Sequence, residues 1–356
     1  MIEMEITKLF KQKKPLIEKE IAKVMPRRAS NKWLKHVVGA PDFSYDSETI
    51  SREFNFPVWE FLDRGGKRWR PVLVLSACKA CGGTEKKAFP FTPLPELIHN
   101  GTIIVDDIED SADVRRGKKA MHLLSGVDTA INNGNAIYFL PLALLYRNSH
   151  NLTEKQKLKI YDLYAEEMVR LSFGQAMDIH WHKGRKSDVK EKDYLQMCSY
   201  KTGVLARFSA KLGGIIGNGS GRQVEALGKF AESLGVGFQI QNDILNLVPA
   251  SGKWGKEVGE DISEGKRTLL VLHALKHLTK KDASALIKIL NSHTKSKPKI
   301  RRAIALIKKA GSIDYARKKA KKIVSDSWAQ LEKTLPENAG KKELKAFAEF
   351  MVDRKI

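Results

Sequence analysis

Apolar residues in this chain recur at helical spacing over long stretches, with few turn signals between them. Ile2, Ile6, Leu9 and Phe10, then Leu16, Ile17, Ile21 and Val24, form one stripe among basic residues. That pattern predicts a basic amphipathic helix or two over residues 1–35. The apolar run from Val72 to Cys81 follows Pro71, a residue suited to the first turn of a helix. No proline interrupts Glu96 to Asp110, which predicts one buried helix with Thr92 as its N-cap. Residues 153–181, with Leu163, Met168, Leu171, Gln175 and Met177 facing inward, predict another helix, as do 191–216 and 222–248. The last stretch, 269–356, reads as helical and very basic. Residues 39–51 and 82–95 collect Gly, Pro, Asp and Ser and predict loops. Pro and Gly are not distributed as the punctuation of strands and hairpins, so the chain is expected to be all-α. No internal repeat or linker divides it. One domain over residues 1–356 is expected: N-terminal helices and a loop at 1–50, a motif-bearing core at 55–280, and basic helices at 281–356.

Composition narrows the setting. The 356 residues carry a net charge of +22. Such a surface suits nucleic acid, anionic membranes or anionic small substrates. No zinc-finger, zinc-knuckle or RNA-recognition signature accompanies the charge, so no nucleic-acid partner is expected. A weak peripheral association with anionic membrane is compatible with it. Cys78 and Cys81 form a lone CxxC inside an apolar run, and Cys198 stands alone, which predicts core thiols in a reducing compartment. The N-terminus has early acids and no apolar signal region, and the longest apolar run, Ala136 to Tyr146, is too short to span a bilayer. A cytoplasmic protein is expected.

Four clusters carry candidate chemistry. Asp106-Asp107-Ile108-Glu109-Asp110 closes the predicted buried helix, and Arg115-Arg116-Gly117 follows. Asp106 and Asp110 share a helix face, and Asp107 is turned away by about 100°. Two carboxylates one turn apart at a helix C-terminus repel each other and the macrodipole, so a cation must compensate them. Hard oxygen donors too few for a closed cage suit Mg²⁺ that completes its shell from a phosphate. The second cluster is Gly65-Gly66-Lys67-Arg68-Trp69-Arg70-Pro71, a basic loop–helix junction able to hold phosphate. Lys201-Thr202-Gly203 is the third. The fourth is the helix end Phe238-Gln239-Ile240-Gln241-Asn242-Asp243-Ile244-Leu245-Asn246, with a loop carrying Gly255, Lys256, Gly259, Asp261, Gly265, Lys266 and Arg267. Lysines interleaved with glycines there predict a lid over polyphosphate. Acids on one helix end, a partly polar equivalent on another, separate cations and apolar helix walls fit one ligand type, a diphosphate with a long apolar tail.

These motifs, in order over roughly residues 55–280, resemble the trans-prenyltransferases, the family of farnesyl and geranylgeranyl diphosphate synthases. Gly65 to Pro71 is similar to the family's GGKRxRP, Asp106 to Asp110 to its first aspartate-rich motif, and Lys201-Thr202 and Phe238-Gln239 also match. The resemblance implies an all-α bundle of roughly ten or more helices around a central apolar cavity. It implies a homodimer that condenses isopentenyl diphosphate with an allylic diphosphate, using two or three Mg²⁺. Lys67, Arg70, His99 and Arg116 would hold isopentenyl diphosphate. Arg115, Lys201, Lys256 and Lys266 would hold the allylic diphosphate through Mg²⁺ on Asp106 and Asp110. Thr202 and Gln239, beside Lys201, would line the reaction centre, and Asn242 and Asp243 would serve a further metal. Departures are Asn242 and Asn246, where the family usually has Asp, and Lys119, where it has Pro. A terpene-cyclase-like enzyme and a non-catalytic partner subunit remain the alternatives. With the allylic diphosphate at Asp106 and Asp110, its tail runs back along the helix. Thr102 and Gly101 are then expected to leave the channel open about 6–7.5 Å below the metal, with Ile98 further down. Products of at least twenty carbons follow, geranylgeranyl diphosphate foremost.

Overall fold

The computed structural model describes residues 2–353 except 148, 149, 151, 187 and 249–257. The N-terminal stripe folds as α1 (Ile2–Val24), which buries Ile6, Phe10, Ile17 and Ile21. The other principal helices are α2 (Phe56–Asp63), α3 (Trp69–Ala80), α4 (Pro93–Glu109), α5 (Val127–Phe139), α6 (Glu154–His182) and α7 (Glu191–Cys198). Then come α8 (Val204–Ile216), α9 (Gly221–Leu247), α10 (Leu269–His277), α11 (Lys280–Asn291), α12 (Lys297–Lys309), α13 (Ser312–Leu331) and α14 (Ala339–Asp353). The protein is all-α, as its periodicity predicts.

Sequence explains which helices sit inside. In α8 nearly every side chain is buried, as expected of a helix apolar all round. It packs between α3 and α9, and α6 lies along it. The long helices α6 and α9 each begin at a complete capping box, Thr153 with Gln156 and Ser220 with Gln223. Phe10 meets Phe347 at 5.4 Å and Phe350 at 5.6 Å, so α1 and α14 close one side of the bundle. Cys78 and Cys198 are buried free thiols, and Cys81 is a partly buried one.

Three local expectations are corrected. Thr92 does not cap α4 with its side chain; its hydroxyl donates back to the Phe89 carbonyl at 2.7 Å, continuing a 3₁₀ turn into Pro93. Residues 191–216 do not form one helix. A π-helical turn, Ser199–Gly203, separates α7 from α8, an irregularity that often marks functional positions. Beyond Asp110 the chain forms a two-stranded hairpin, β1 (Val114–Arg115) with β2 (Lys118–Lys119), Val114 opposite Lys119. Its two turn residues, Arg116 at φ 52° and Gly117 at φ 77°, take the left-handed geometry that tight hairpins require. Arg-Gly is a rarer pair there than Asn-Gly, which hid the hairpin in the sequence.

Candidate active site

The C-terminal end of α4 presents its acids as the helical spacing predicts. Asp107 is buried on the far face, where Arg115 Nε donates to its Oδ1 at 2.7 Å. Asp106 lines a cavity of about 390 Å³ with Arg115, Lys201, Asn242, Asp243, Asp261 and Lys266, and Asp110 stands behind its wall against Lys266. Lys201 Nζ lies 3.0 Å from Asp106 and 2.6 Å from Asp178, and Lys266 Nζ lies 3.4 Å from Asp110. The Lys201, Lys266 and Arg115 charges overcome the cost of burial and hold the Asp106 carboxyl far below the usual range. Burial wins at Asp110, whose pKa rises. Both lysines are held cationic by the carboxylates around them.

Lys201 and Thr202 owe their position to the π-helical turn. A Cβ on Gly174 of α6 would stand 2.3 Å from the Lys201 backbone nitrogen, so only glycine lets the turn lie this close. Below it, Arg207 of α8 binds both Glu167 oxygens at 2.8 and 2.6 Å and Glu232 at 2.5 Å, while the Ser199 hydroxyl donates to Glu232. This buried network ties α6, α8 and α9 beneath the turn. Above it, the Thr202 hydroxyl donates to Gln239 Oε1 at 3.0 Å, and Gln239 Nε2 donates to Asp243 Oδ1 at 2.8 Å. The Tyr194 hydroxyl completes the row, donating to Asp243 Oδ2 at 2.7 Å.

Burial and the neighbouring Asp261 push the Asp243 carboxyl up to about 8. Between the unfolded value near 3.8 and 8, the folded chain keeps a proton that the unfolded chain loses, so stability falls as pH rises through that window. In chelator-treated protein Asp243→Asn is expected to raise Tm by several degrees at pH 8 and to change it little near pH 4. Thermal melts at the two pH values check the sign.

A second cavity, about 510 Å³, adjoins the first and shares Asp106, Arg115, Lys201, Gln239 and Asn242 with it. Thr102, Tyr138, Met168, Leu171, Leu205 and Phe238 supply much of its wall, and Arg70 and His99 also line it. Arg70 is buried, and its Nε has no hydrogen-bond partner among the described residues. Burial, only partly offset by the Glu96 charge, and nearby Arg116 draw its pKa down to about 10. Arg116, also drawn down to about 10, donates to the Gly65 carbonyl at 2.7 Å. Burial and the Arg70 charge hold His99 neutral. Arg68 differs from its neighbour, since it pairs with buried Glu96 at 2.8 Å.

The other predicted residues fall as follows. Lys67 is exposed and lies 5.3 Å over the Phe350 ring, outside both cavity walls. Lys256 lies outside the described residues. Asn242 and Asn246 both line the first cavity, and the Asn246 amide oxygen accepts from the Asp261 backbone nitrogen at 3.2 Å. Two chain-length expectations are corrected. Gly101 does not open a channel, because α5 packs against it, and Ile98 is buried in the core with Val74, Leu94 and Phe208. Of that trio only Thr102 lines the cavity.

Four functional candidates went unread or half-read in the sequence. Gln175 donates to Asp106 at 2.8 Å and Glu109 at 2.6 Å, and Asp178 holds Lys201. Their three-residue spacing on an otherwise apolar helix face was the available signal. Asp261 joins Asp243 opposite α4, restoring a carboxylate to the helix end where Asn242 and Asn246 stand. Tyr194 carried no local signal.

The donor set can be weighed against a metal. Among the described residues no three carboxylate or imidazole groups converge closely, because lysines stand between the acids. Facing sets of oxygen donors beside a phosphate-sized cavity fit Mg²⁺ that takes its remaining ligands from a diphosphate. Asp106 and Asp110, with Asp243 and Asn242 opposite, are the residues that would hold it.

An all-α bundle with two acidic helix ends facing across adjoining polar and part-apolar cavities defines an enzyme class, and known proteins share it. Residues 51–307 match the polyprenyl synthetase family, and the chain belongs to that family. It is 34% identical over 293 residues to the short chain isoprenyl diphosphate synthase of Methanothermobacter thermautotrophicus, covering 82% of this chain and 88% of the relative. It is 32% identical over 309 residues to the geranylfarnesyl diphosphate synthase of Natronomonas pharaonis, covering 82% and 87%. The crystal structure of geranylgeranyl pyrophosphate synthetase from Pyrococcus horikoshii superposes with a TM-score of 0.85 at 32% identity, covering 99% of each chain.

Proposed function

We propose that this protein is a chain-elongating trans-prenyltransferase that joins isopentenyl diphosphate to an allylic diphosphate and makes products of twenty carbons or more. The observation that carries this reading is Arg70, a buried guanidinium beside His99 and Arg116 whose Nε has no hydrogen-bond partner among the described residues, set apart from the Asp106–Lys201–Lys266 cluster. One cluster would take one diphosphate, so two separate clusters fit two substrates. The similar relatives named for C20 and C25 products support the product range.

In the reaction the allylic C–O bond breaks, the isopentenyl double bond supplies the pair for the new C–C bond, and the proton lost passes to the released diphosphate. Bound Mg²⁺ would supply Lewis-acid stabilisation of the leaving diphosphate. Lys201, Lys266 and Arg115 place fixed positive charge where negative charge grows. The Thr202 hydroxyl and Gln239 amide face the reacting carbons with dipoles held by Asp243 and Tyr194. Met168, Leu171, Leu205 and Phe238 keep water from the allylic cation.

Incubation with Mg²⁺, isopentenyl diphosphate and farnesyl diphosphate, with products identified by mass, tests the reading. Prenyl diphosphates of twenty or more carbons are expected. Diphosphate release without isopentenyl incorporation would instead indicate a cyclase-like enzyme, and binding without turnover a partner subunit.

Two partner assignments go with it. Ile131 and Phe139 of α5 and Val169 and Phe173 of α6 are 42%, 61%, 52% and 60% exposed, an outward apolar face suited to a second copy of the chain. Lys280, Lys281, Lys288, Lys297, Lys299, Arg301 and Arg302 are exposed on α11 and α12, a surface suited to weak contact with anionic lipid. Light scattering at twice the chain mass, and sedimentation with anionic but not neutral vesicles, are the expected results. A monomer, or equal sedimentation with both vesicles, would refute the corresponding assignment. Among the described residues no helix is long and apolar enough to cross a membrane.

A further inference from the structure

The hairpin that follows α4 carries two of the site's cations at its turn. Arg115 ends β1, and Arg116 is the first turn residue, at φ 52°. A residue with a side chain keeps that left-handed geometry only where its surroundings fix it. Burial lowers the Arg116 pKa, and the like charges of Arg68, Arg115 and Arg64 lower it further against the pull of Glu96. A strained turn pressed by like charges needs a mount.

The end of α2 supplies one. Arg64 closes that helix, and its side chain has no exposed surface. Its Nε and Nη2 donate to Glu60 Oε2 at 3.0 and 2.6 Å, while its Nη1 donates to the Arg115 backbone carbonyl at 3.2 Å. The other Glu60 oxygen accepts from Lys118 Nζ of β2 at 3.1 Å, so α2 grips both strands. At the turn, Arg116 donates to the carbonyl of Gly65, the residue after Arg64, at 2.7 Å. The Phe61 ring receives both guanidiniums, Arg64 at 5.2 Å and Arg116 at 5.2 Å from its centroid.

Among the described residues lining the two cavities, Arg115 and Arg116 are present, and Glu60, Phe61 and Arg64 are not. Whatever these three do for substrate, they do through the hairpin. The Arg115 guanidinium has a holder of its own in Asp107, at 2.7 Å. Arg116 instead rests on Phe61 and Gly65, either side of Arg64 in the chain. Loss of Arg64 therefore falls on Arg116 first.

We propose that Arg64 is a positioning residue that mounts the hairpin on Glu60 and Phe61, aims Arg116 at isopentenyl diphosphate, and so sets affinity for that substrate rather than for the allylic one. This rests on the reading of the protein as a chain-elongating prenyltransferase. A guanidinium suits the task because its fixed fork spans Glu60 and the Arg115 carbonyl at once, which a single ammonium nitrogen cannot do.

The test measures KM for both substrates on wild type, Arg64→Met, Arg64→Lys, Arg116→Ala and the Arg64→Met/Arg116→Ala double variant, with folding checked by circular dichroism. The fold should survive Arg64→Met, because Glu60 is 38% exposed and keeps Lys118 at 3.1 Å, so no buried carboxylate is stranded. Arg64→Met is expected to raise KM for isopentenyl diphosphate about tenfold, the scale of one charge-assisted bond lost, with a far smaller change for the allylic substrate. Arg64→Lys should behave like Arg64→Met, since it restores the charge without the two spans. In the Arg116→Ala background Arg64→Met should add little, as for two residues acting through one contact. An unchanged isopentenyl KM in folded Arg64→Met, equal rises for both substrates, full rescue by Arg64→Lys, or additive effects in the double variant each overturn the proposal. Should Arg64→Met be unfolded, Glu60→Gln removes the charge that holds Arg64, and a smaller rise confined to isopentenyl diphosphate is expected; its absence overturns the proposal equally. A wild-type protein that forms no prenyl product defeats the functional reading itself, a distinct result.

Discussion

Asp106→Ala is expected to lower kcat by about three orders of magnitude, the scale of losing one preorganised charge-stabilising group. Turnover with isopentenyl and allylic diphosphates at saturating Mg²⁺ measures it. The fold should survive the change. Lys201, which loses Asp106 at 3.0 Å, keeps Asp178 at 2.6 Å, so no buried ammonium is left unpaired. Gln175 likewise keeps Glu109 at 2.6 Å. Removing Asp106 also removes a repulsion, because its charge helps raise the Asp110 pKa. Tm should therefore change little while kcat collapses, and the loss should fall on kcat more than on KM, as for a group that acts on the departing diphosphate. Near-wild-type turnover would end the assignment of Asp106 to the metal.

The contrast between that site and the rest of the cavity explains what the sequence could carry. The Asp106/Asp110 face is a property of one helix, fixed by 3.6-residue periodicity, and so it was legible from spacing alone. The same holds for the burial of α8 and the start of α6 at Thr153, which are local patterns. Asp178 and Tyr194 matter because other elements bring them to Lys201 and Asp243, and such juxtaposition has no sequence period. Gly101 shows the limit most clearly. A missing side chain reads equally as open space or as room for a neighbour, and only the position of Gly134 decides. The π-helical turn at Ser199–Gly203 is similar, since Gly174 and the Arg207 network across the bundle hold it in place.

Arg70 and Arg68 offer the other large effect, two buried arginines two residues apart for which opposite stability changes are expected. Arg70 has a pKa drawn down to about 10 by burial, so its charged form is disfavoured in the folded chain throughout the working pH range. Its Nε has no partner among the described residues. Arg70→Met should thus leave Tm unchanged or raise it, as replacing an uncompensated buried charge with an apolar side chain commonly does. Binding tells the reverse story. A guanidinium that makes two charge-assisted bonds to a diphosphate contributes about 1.5–3 kcal/mol through each, so KM for isopentenyl diphosphate should rise on the order of a hundredfold or more. The KM for the allylic substrate, whose proposed site is at Lys201 and Lys266, should shift far less. Arg68 donates to Glu96 at 2.8 Å and to the Leu62 carbonyl at 3.0 Å. Its replacement by Met strands a buried carboxylate and should cost about 3–5 kcal/mol of stability. Thermal melts of both variants, with KM for each substrate on Arg70→Met, read all of these together. A fall in Tm for Arg70→Met equal to that for Arg68→Met would show that Arg70 is structural, and the second diphosphate site would then have to lie elsewhere.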